Sequence, residues 1–212
     1  MTSEIAIPEP CLVVLVGAAG SGKSTFAARH FAADEVLASD AFRARLGRDE
    51  ADQAATRRAF GVLHRALERR SAAGRTTVVD ATNVRPEARN ALVRRAAAAG
   101  IPAIAIVLDL PLADCLAGDR ARVGRHVPAA IVERQFAELR ATLDGAAEAD
   151  RGGYDRAGHR LAARTMAARF ADEGFAAAYR LGSRAEVDSV VLRRGAEGWP
   201  TLSQAAREGR RS

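Results

Sequence analysis

The fold of this chain is decided by the stretch Gly17-Ala18-Ala19-Gly20-Ser21-Gly22-Lys23-Ser24, which Thr25 follows. The stretch matches the phosphate-binding loop (P-loop) pattern G-x-x-x-x-G-K-[ST] at every fixed position. The apolar run before it, residues 11–16, is typical of a buried parallel strand, and residues 25–31 suit the start of a helix. This order of strand, glycine loop and helix predicts a nucleotide-binding loop.

Each part of the loop has an expected task at the phosphates of ATP. The glycines let the backbone turn tightly and bring its N–H groups against phosphate oxygens, and the helix N-terminus adds a partial positive charge. We expect Lys23 to reach the β- and γ-phosphates and the Ser24 hydroxyl to ligate Mg²⁺. The predicted ATP-binding set is Gly17, Gly20, Ser21, Gly22, Lys23, Ser24 and Thr25.

The use of lysine supports a working loop rather than a chance glycine-rich turn. The chain has 32 basic residues, and Lys23 is the only lysine among them. A compact ammonium in the loop cannot be exchanged for a planar guanidinium without losing its fit to the phosphates. A sequence that uses arginine everywhere else has therefore kept lysine where this loop needs it.

Composition predicts one globular α/β domain. The chain has 212 residues, of which 48% are hydrophobic and 27% charged. A net charge of +6 permits a polyanionic substrate, although arginine is spread along the whole chain. Cys11 and Cys115 are expected to be buried and inert rather than a bridge or a metal site. With no signal core in residues 1–10 and no apolar run of membrane-spanning length, we expect a cytoplasmic protein without a membrane partner.

Short apolar runs alternate with helical patterns along the chain. Strands are predicted at residues 11–16, 35–39, 76–79, 104–108 and 176–181, and helices at 25–31, 41–46, 52–73, 86–99, 112–121, 129–143 and 155–172. Residues 144–153 are expected to form a loop, and residues 185–193 fit either a helix or a strand. The alternation predicts a P-loop NTPase fold, with a parallel sheet and helices on both faces.

The same pass along the chain predicts three segments. Residues 1–10 are an N-terminal extension, residues 11–193 form the P-loop domain, and residues 194–212 are expected to be a mobile tail. In such a fold, ligands bind outside the carboxyl ends of the strands. The loop and two acidic residues, Asp40 and Asp80, fall at those ends.

Asp40 follows the second predicted strand, and Arg43 comes three residues later. On a short helix the two would share a face, with Asp40 placed to accept a proton from an attacking hydroxyl and Arg43 placed to hold an anionic group of the acceptor. The alternative is that Asp40 only caps the helix. Spacing alone does not separate these interpretations.

Asp80 ends an apolar strand, the usual place of the acid that holds magnesium in P-loop enzymes. Thr82 and Asn83 follow it and either contact the substrate or form a turn before the helix that Pro86 opens. We expect Ser24 and Asp80 to form the metal site.

A segment rich in arginine, residues 120–128, lies between two predicted helices and is called the lid segment below. It contains Arg122 and Arg125 and is broken by Gly124 and Pro128. Phosphoryl transfer needs cations over the β- and γ-phosphates, and a lid between helices could supply them. The alternative is a solvated loop in an arginine-rich protein.

Four segments together resemble the 5′-hydroxyl polynucleotide kinase domain of bacterial RNA end-healing proteins. They are residues 17–26, Ser-Asp-Ala-Phe-Arg at 39–43, Thr-Val-Val-Asp-Ala-Thr-Asn at 77–83, and Asp-Arg-Ala-Arg-Val-Gly-Arg at 119–125. The resemblance runs over about residues 11–143 and resumes near 170–191. The P-loop is shared with very many NTPases, whereas the two acidic motifs in this order are more specific to this family and to related kinases.

The resemblance implies ATP- and Mg²⁺-dependent transfer of the γ-phosphoryl group to the 5′-OH of RNA or DNA. It implies that Lys23 and Ser24 hold the β/γ-phosphates and Mg²⁺, and that Asp40 is the general base on that hydroxyl. Arg43 would engage the phosphate next to the acceptor nucleoside, while Arg122 and Arg125 would contact the donor phosphates.

Two departures keep other functions open. Residues 144–168 are longer than the corresponding link of the family, and the sequence carries no phosphatase or ligase module of the kind that often accompanies the kinase. The acceptor could then be a small molecule or an aminoacyl-tRNA. A third hypothesis, from another class, is an ATP-bound switch or adaptor that acts on a protein partner.

Overall fold

The computed structural model describes residues 4–40, 42, 53–122, 126–150 and 166–195, and for residues 53–57 and 144–150 it describes the backbone only. The strands are β1 (Glu4–Ile7), β2 (Leu12–Val16), β3 (Val36–Ala38), β4 (Thr77–Asp80), β5 (Ala103–Leu108), β6 (Ala177–Leu181) and β7 (Val191–Arg194). The helices are α1 (Lys23–His30), α2 (Gln53–Ala72), α3 (Pro86–Ala98), α4 (Leu112–Arg120), α5 (Ala129–Asp150), α6 (Met166–Asp172) and α7 (Arg184–Ser189).

Five strands form one parallel sheet in the order β3-β4-β2-β5-β6. The central strand, β2, pairs with β4 on one side and with β5 on the other. After β4 the chain crosses over β2 to the other half of the sheet, where it forms β5. The loop after β2 therefore lies at the switch point where parallel α/β sheets bind their ligands. This architecture confirms the predicted parallel sheet with a P-loop after its first core strand.

Side chains of the sheet alternate between two apolar layers. Val13 and Leu15 of β2 face a layer that includes Phe26 of α1, Cys115 of α4 and Val187 of α7. The neighbouring residues Leu12, Val14 and Val16 face the other layer, with side chains of α2, α3 and α6 such as Leu67, Leu92 and Phe170. Strands buried on both faces read as continuous apolar runs, which is why the sequence revealed them. Helices cover both faces of the sheet, as predicted.

The two ends of the described chain meet in a second, smaller sheet. Strand β1 pairs in parallel with β7, with Glu4 opposite Val191 and Ile7 opposite Arg194. The prediction that residues 176–181 hold the last strand is therefore wrong, and residues 185–193 contain both a helix and most of a strand. Arg194, assigned to the mobile tail, is the last residue of β7. A four-residue strand whose partner lies at the other end of the sequence leaves no local pattern to detect.

The loop predicted at residues 144–153 is also corrected. Helix α5 continues to Asp150, through Gly145. A single glycine costs a helix only about 1 kcal/mol, and the alanine- and glutamate-containing segment after it favours the helix. Helix α6 confirms the last turns of the helix predicted at residues 155–172. Residues 151–165 lie outside the described residues. The helix predicted at 41–46 lies, apart from Phe42, outside them as well.

Two further expectations concern cysteines and membranes. Cys11 and Cys115 are free and buried. Burial raises the pKa of the Cys11 thiol to about 12 and also raises the pKa of the Cys115 thiol. Both side chains therefore stay protonated and unreactive. Within the described part of the chain, no helix combines the length and the apolar character that crossing a membrane requires.

Candidate active site

The P-loop encloses the Lys23 ammonium. Its Nζ donates hydrogen bonds to the carbonyl oxygens of Gly17 at 2.9 Å and Ala18 at 2.7 Å, and lies 3.4 Å from Ser21 Oγ. Lys23 is only 8% exposed. These bonds hold the ammonium inside the loop, and its contact with the β- and γ-phosphates stays a prediction.

Burial changes the protonation of Lys23. Loss of solvation lowers the pKa of the side chain to about 8, although the nearby carboxylates of Asp80 and Asp40 favour the charged form. The carboxylates near Lys23 therefore supply less negative charge than the buried ammonium needs to keep an ordinary pKa. A bound polyphosphate would supply that charge.

The loop is packed tightly against α4 through two glycines. Gly20 has a φ of +76°, and a Cβ on it would lie 1.9 Å from the carbonyl oxygen of Cys115. On the other side of the contact, a Cβ on Gly118 would lie 2.2 Å from the carbonyl oxygen of Gly20. Sequence reasoning explained Gly20 by the motif but missed Gly118, a helix glycine that lets the backbone of α4 approach the loop.

Ser24 and Asp80 meet at the start of α1. The Ser24 hydroxyl donates to Asp80 Oδ2 at 2.6 Å, although the two residues come from different strand–helix units. A hydroxyl and a carboxylate side by side are hard oxygen ligands of the kind that Mg²⁺ takes, so the residues present fit the predicted ion. Among the described residues there is no cluster of three or more His, Cys, Asp or Glu side chains that could hold a metal, so an ion here would need ligands from water or the nucleotide.

The turn after β4 is attached to β2 and the P-loop. Gly17 N–H donates to the Thr82 carbonyl at 2.9 Å, and Asn83 Nδ2 donates to the Leu15 carbonyl at 2.8 Å. Asn83 is 4% exposed and has a φ of +47°, a conformation that asparagine tolerates better than most residues. These contacts favour the turn over the substrate contact for Asn83. A substrate contact by Thr82 remains a prediction.

Asp40 and the lid segment meet at the same edge of the sheet. Arg122 NH2 lies 3.5 Å from Asp40 Oδ2, and both side chains are about half exposed, at 42% and 55%. The structure thus brings the predicted base next to one predicted lid arginine. Arg43 and Arg125 lie outside the described residues, and their roles stay predictions.

The last residues of the lid segment are attached to α4, the helix that precedes it. Asp119 Oδ2, at the end of α4, accepts a hydrogen bond from Val127 N–H at 3.0 Å, and the Asp119 carbonyl oxygen lies 2.9 Å from His126 Nδ1. The sequence predicts no role for Asp119, because nothing in its spacing shows that its carboxylate binds the backbone eight residues later.

Two other contacts of the loop were missed by sequence reasoning. Gln135 of α5 accepts a hydrogen bond from Ala19 N–H at 2.9 Å. Arg184 of α7 lies against the other side, where a Cβ on Gly22 would come 2.8 Å from its NH1. No motif indicates either contact, because each residue lies on a helix that is far from the loop along the sequence.

With this geometry in view, comparison with known proteins identifies the family. Residues 12–146, more than half of the chain, match the family AAA_33, which is described as an AAA domain. The chain belongs to this AAA domain family. The match includes the P-loop, Asp40, Asp80, the lid segment and most of α5, so every candidate site residue named above except Arg184 lies inside it.

Several solved structures are similar to this AAA domain. A chain of the Pnkp1/Rnl/Hen1 RNA repair complex aligns with a TM-score of 0.56 and 24% identity, over 66% of this chain and 47% of that one. The AvrRxo1-ORF1:-ORF2 complex with ATP aligns with a TM-score of 0.50 and 17% identity, over 73% and 57% of the two chains. A sugar kinase from Janibacter sp. HTCC2649 has a TM-score of 0.46 and 20% identity, over 82% and 85%.

The chain spans about half the length of the first of these structures. No curated protein matches it. At these identities the first two structures show the fold alone, and the P-loop inside the matched AAA domain indicates a nucleotide such as ATP as ligand.

Proposed function

We propose that this protein is an ATP-dependent phosphotransferase that moves the γ-phosphoryl group to the 5′-OH end of RNA or DNA. The observation that carries the proposal is the pairing of Asp40 with Arg122 at 3.5 Å, at the edge of the sheet where the P-loop also lies. A carboxylate next to a cation, beside a nucleotide loop, supplies a base for the acceptor and a positive charge for the donor.

In the proposed reaction the attacking hydroxyl lies against Asp40. Asp40 orients the hydroxyl in line with the γ-phosphorus and accepts its proton as the new O–P bond forms and the bond to the ADP oxygen breaks. Lys23 and Arg122 neutralise the charge that develops on the phosphoryl oxygens and the leaving ADP. The Asp40–Arg122 ion pair has to open for this, since Arg122 would then turn toward the donor phosphates.

The proposed metal site consists of Ser24 and Asp80, which are in direct contact at 2.6 Å. When bound there, Mg²⁺ would neutralise part of the negative charge of the nucleotide phosphates. Ser24 and Asp80 are fixed for this task by the start of α1 and by the buried end of β4, and Asp80 itself is 9% exposed.

Three observations support a nucleic acid as the acceptor. The chain carries a net charge of +6. Its motifs resemble the 5′-hydroxyl polynucleotide kinase domain, and a chain of the Pnkp1/Rnl/Hen1 RNA repair complex shares its fold. Of these, only the motifs distinguish a polynucleotide from another anionic acceptor, because a basic protein also attracts small anions.

The test is the transfer of label from γ-labelled ATP, with Mg²⁺, to RNA and DNA oligonucleotides that end in a 5′-OH. We expect the wild type to label them and Asp40→Asn to lose two or more orders of magnitude in rate. Asp34→Asn is the matched control, because it makes the same change at an exposed position just before the strand that Asp40 follows. Oligonucleotides that already carry a 5′-phosphate should remain unlabelled.

The outcomes separate the alternatives. Labelling that survives in Asp40→Asn would remove Asp40 from the base role. A protein that binds ATP but labels no oligonucleotide, and instead phosphorylates a small molecule or an aminoacyl-tRNA, would replace the acceptor and keep the chemistry. Bound ATP without transfer to any acceptor would favour the switch or adaptor.

A further inference from the structure

One hydrogen bond of the P-loop comes from outside the loop and its strand. The N–H of Ala19, in the third position of the motif, donates to Gln135 Oε1 on α5, 116 residues further along the chain, at 2.9 Å. Because a backbone N–H can only donate, the atom it meets must be the amide oxygen, and the orientation of the Gln135 side chain is fixed by this bond.

The bond lies at the part of the loop that Lys23 also contacts. Lys23 Nζ binds the carbonyl of Ala18, and Gln135 binds the N–H of Ala19, so the two side chains hold the two ends of one peptide unit. This peptide precedes the turn at Gly20 and lies outside α1, whereas the remaining amides of the loop lead into the helix. Backbone and lysine of such loops hold the β- and γ-phosphates.

The NH₂ group of the Gln135 side chain is available to donate hydrogen bonds to a ligand. A glutamine side chain carries an acceptor oxygen and an NH₂ group with two donors. The oxygen is bound to Ala19, and among the described residues no acceptor is bonded to Nε2. The NH₂ group is neutral, is attached to a long helix and is half-buried, so it can donate to an anion in the loop without the cost of burying another charge.

We propose that Gln135 binds the γ-phosphate: its Oε1 is oriented by Ala19 N–H, and its Nε2 donates a hydrogen bond to an oxygen of the phosphoryl group that is transferred. This inference rests on the proposed function, since it concerns the same site. Gln135 gives up no proton and forms no covalent bond. In the transition state the negative charge is spread over the three phosphoryl oxygens, one of which Nε2 would contact.

Two substitutions separate the halves of the side chain. Gln135→Glu keeps an oxygen for Ala19 N–H but replaces the donor by a carboxylate, which repels the γ-phosphate. Gln135→Met has a similar length and removes both contacts. Arg134→Gln is the matched control, because it changes the net charge by the same amount as Gln135→Glu on the neighbouring, exposed residue of α5.

The measurement is the dissociation constant of ADP and of a non-hydrolysable ATP analogue, both with Mg²⁺, by titration calorimetry. We expect Gln135→Glu to weaken the binding of the analogue by about 30-fold or more, and the binding of ADP by less than about 3-fold. The variant loses roughly one charge-assisted hydrogen bond to the γ-phosphate and adds a repulsion between the new carboxylate and that phosphate. Gln135→Met should weaken the analogue by about 10-fold. Arg134→Gln should change neither.

Equal weakening of both nucleotides would show that Gln135 only shapes the loop and would overturn the inference, as would unchanged binding of the analogue. A wild-type protein that binds neither nucleotide would instead contradict the proposed function. If the wild type binds both nucleotides but never transfers phosphate, the affinity ratio still tests the γ-phosphate contact.

Discussion

At the scale of single residues, the site depends on one lysine in an environment that disfavours its charge. Lys23 is buried in the P-loop, and its pKa is lowered to about 8. It is also the only lysine of the chain. The chain therefore has one side-chain amine, and chemical modification of that amine reports on the loop alone.

We predict that an amine-reactive acylating reagent will modify Lys23 with a pH midpoint near 8, because only the neutral amine is nucleophilic and burial lowers the pKa to about that value. Below this pH the ammonium is protonated and unreactive. The measurement is the rate of acylation at Lys23 between pH 6 and 11 by mass spectrometry, without divalent metal. In guanidinium chloride the midpoint should move to about 10.4, the value of an ordinary lysine.

Bound ATP should slow the acylation and raise its midpoint, since the phosphates add the negative charge that favours the ammonium. An acylation midpoint near pH 10 in the folded protein would show that water reaches the Lys23 amine, and it would contradict the burial of this side chain in the loop.

The sequence predicted the residues whose partners are close along the chain or are determined by a motif. Lys23, Ser24 and Asp80 lie at one edge of the sheet because each stands at or after the end of a buried strand, and such strands end together; their roles there stay predictions. It did not predict Gln135, since the bond to Ala19 joins residues 116 positions apart. Asn83 was found but its role was left open, because only the fold shows that its side chain turns back to β2.

At the scale of elements, the loop owes its position to the close approach of α4. The backbones of Gly20 and Gly118 touch, so that the loop rests on the helix without intervening side chains. The lid segment begins at the end of the same helix, where Asp119 binds Val127. The loop and the described end of the lid segment thus both contact α4, and a change in α4 is expected to reach both.

We predict that Gly118→Ala will weaken ATP binding by about 10-fold or more and lower the melting temperature, because the new Cβ would lie 2.2 Å from the Gly20 carbonyl and must displace the loop. Gly61→Ala in α2 is the matched control. A Cβ at that position would meet only Arg65 NH1, at 3.7 Å, so the substitution should gain up to about 1 kcal/mol of helix stability and leave ATP binding unchanged.

Both variants can be compared by thermal unfolding and by ATP titration. If Gly118→Ala bound ATP like the wild type, α4 would have to be able to move away from the loop, and the packing argument would fail.

At the scale of the whole molecule, the two ends of the described chain close against each other. Strand β7 pairs with β1, and Arg194 at its end donates to Glu9 at 2.6 Å and to Glu35 at 2.5 Å and 3.0 Å. Its guanidinium also lies over the Phe31 ring, 5.5 Å from the centroid. The sequence could not predict this contact, because Glu9 and Arg194 are 185 positions apart and neither stands in a motif.

We predict that Arg194→Ala lowers the free energy of unfolding by about 1–2 kcal/mol at pH 7, whereas Arg193→Ala lowers it by less than about 0.5 kcal/mol. The neighbours are a matched pair. Arg193 forms an ion pair with Glu4 in which the two side chains are 69% and 48% exposed, whereas Arg194 and Glu35 are 31% and 15% exposed. Urea unfolding of both variants and of the wild type measures the difference.

The pH dependence has a definite sign. Hydrogen bonds from Arg194 lower the pKa of Glu35 below its ordinary value of 4.5, so the folded protein binds fewer protons there than the unfolded chain. The stabilisation from this pair is therefore complete above pH 4.5 and is lost as the pH falls below it. The difference between Arg194→Ala and the wild type should shrink between pH 5 and pH 3, while that of Arg193→Ala should stay small throughout. A difference that is the same at both pH values would mean that the packing of Arg194 on Phe31, rather than its ion pair with Glu35, joins the ends of the chain.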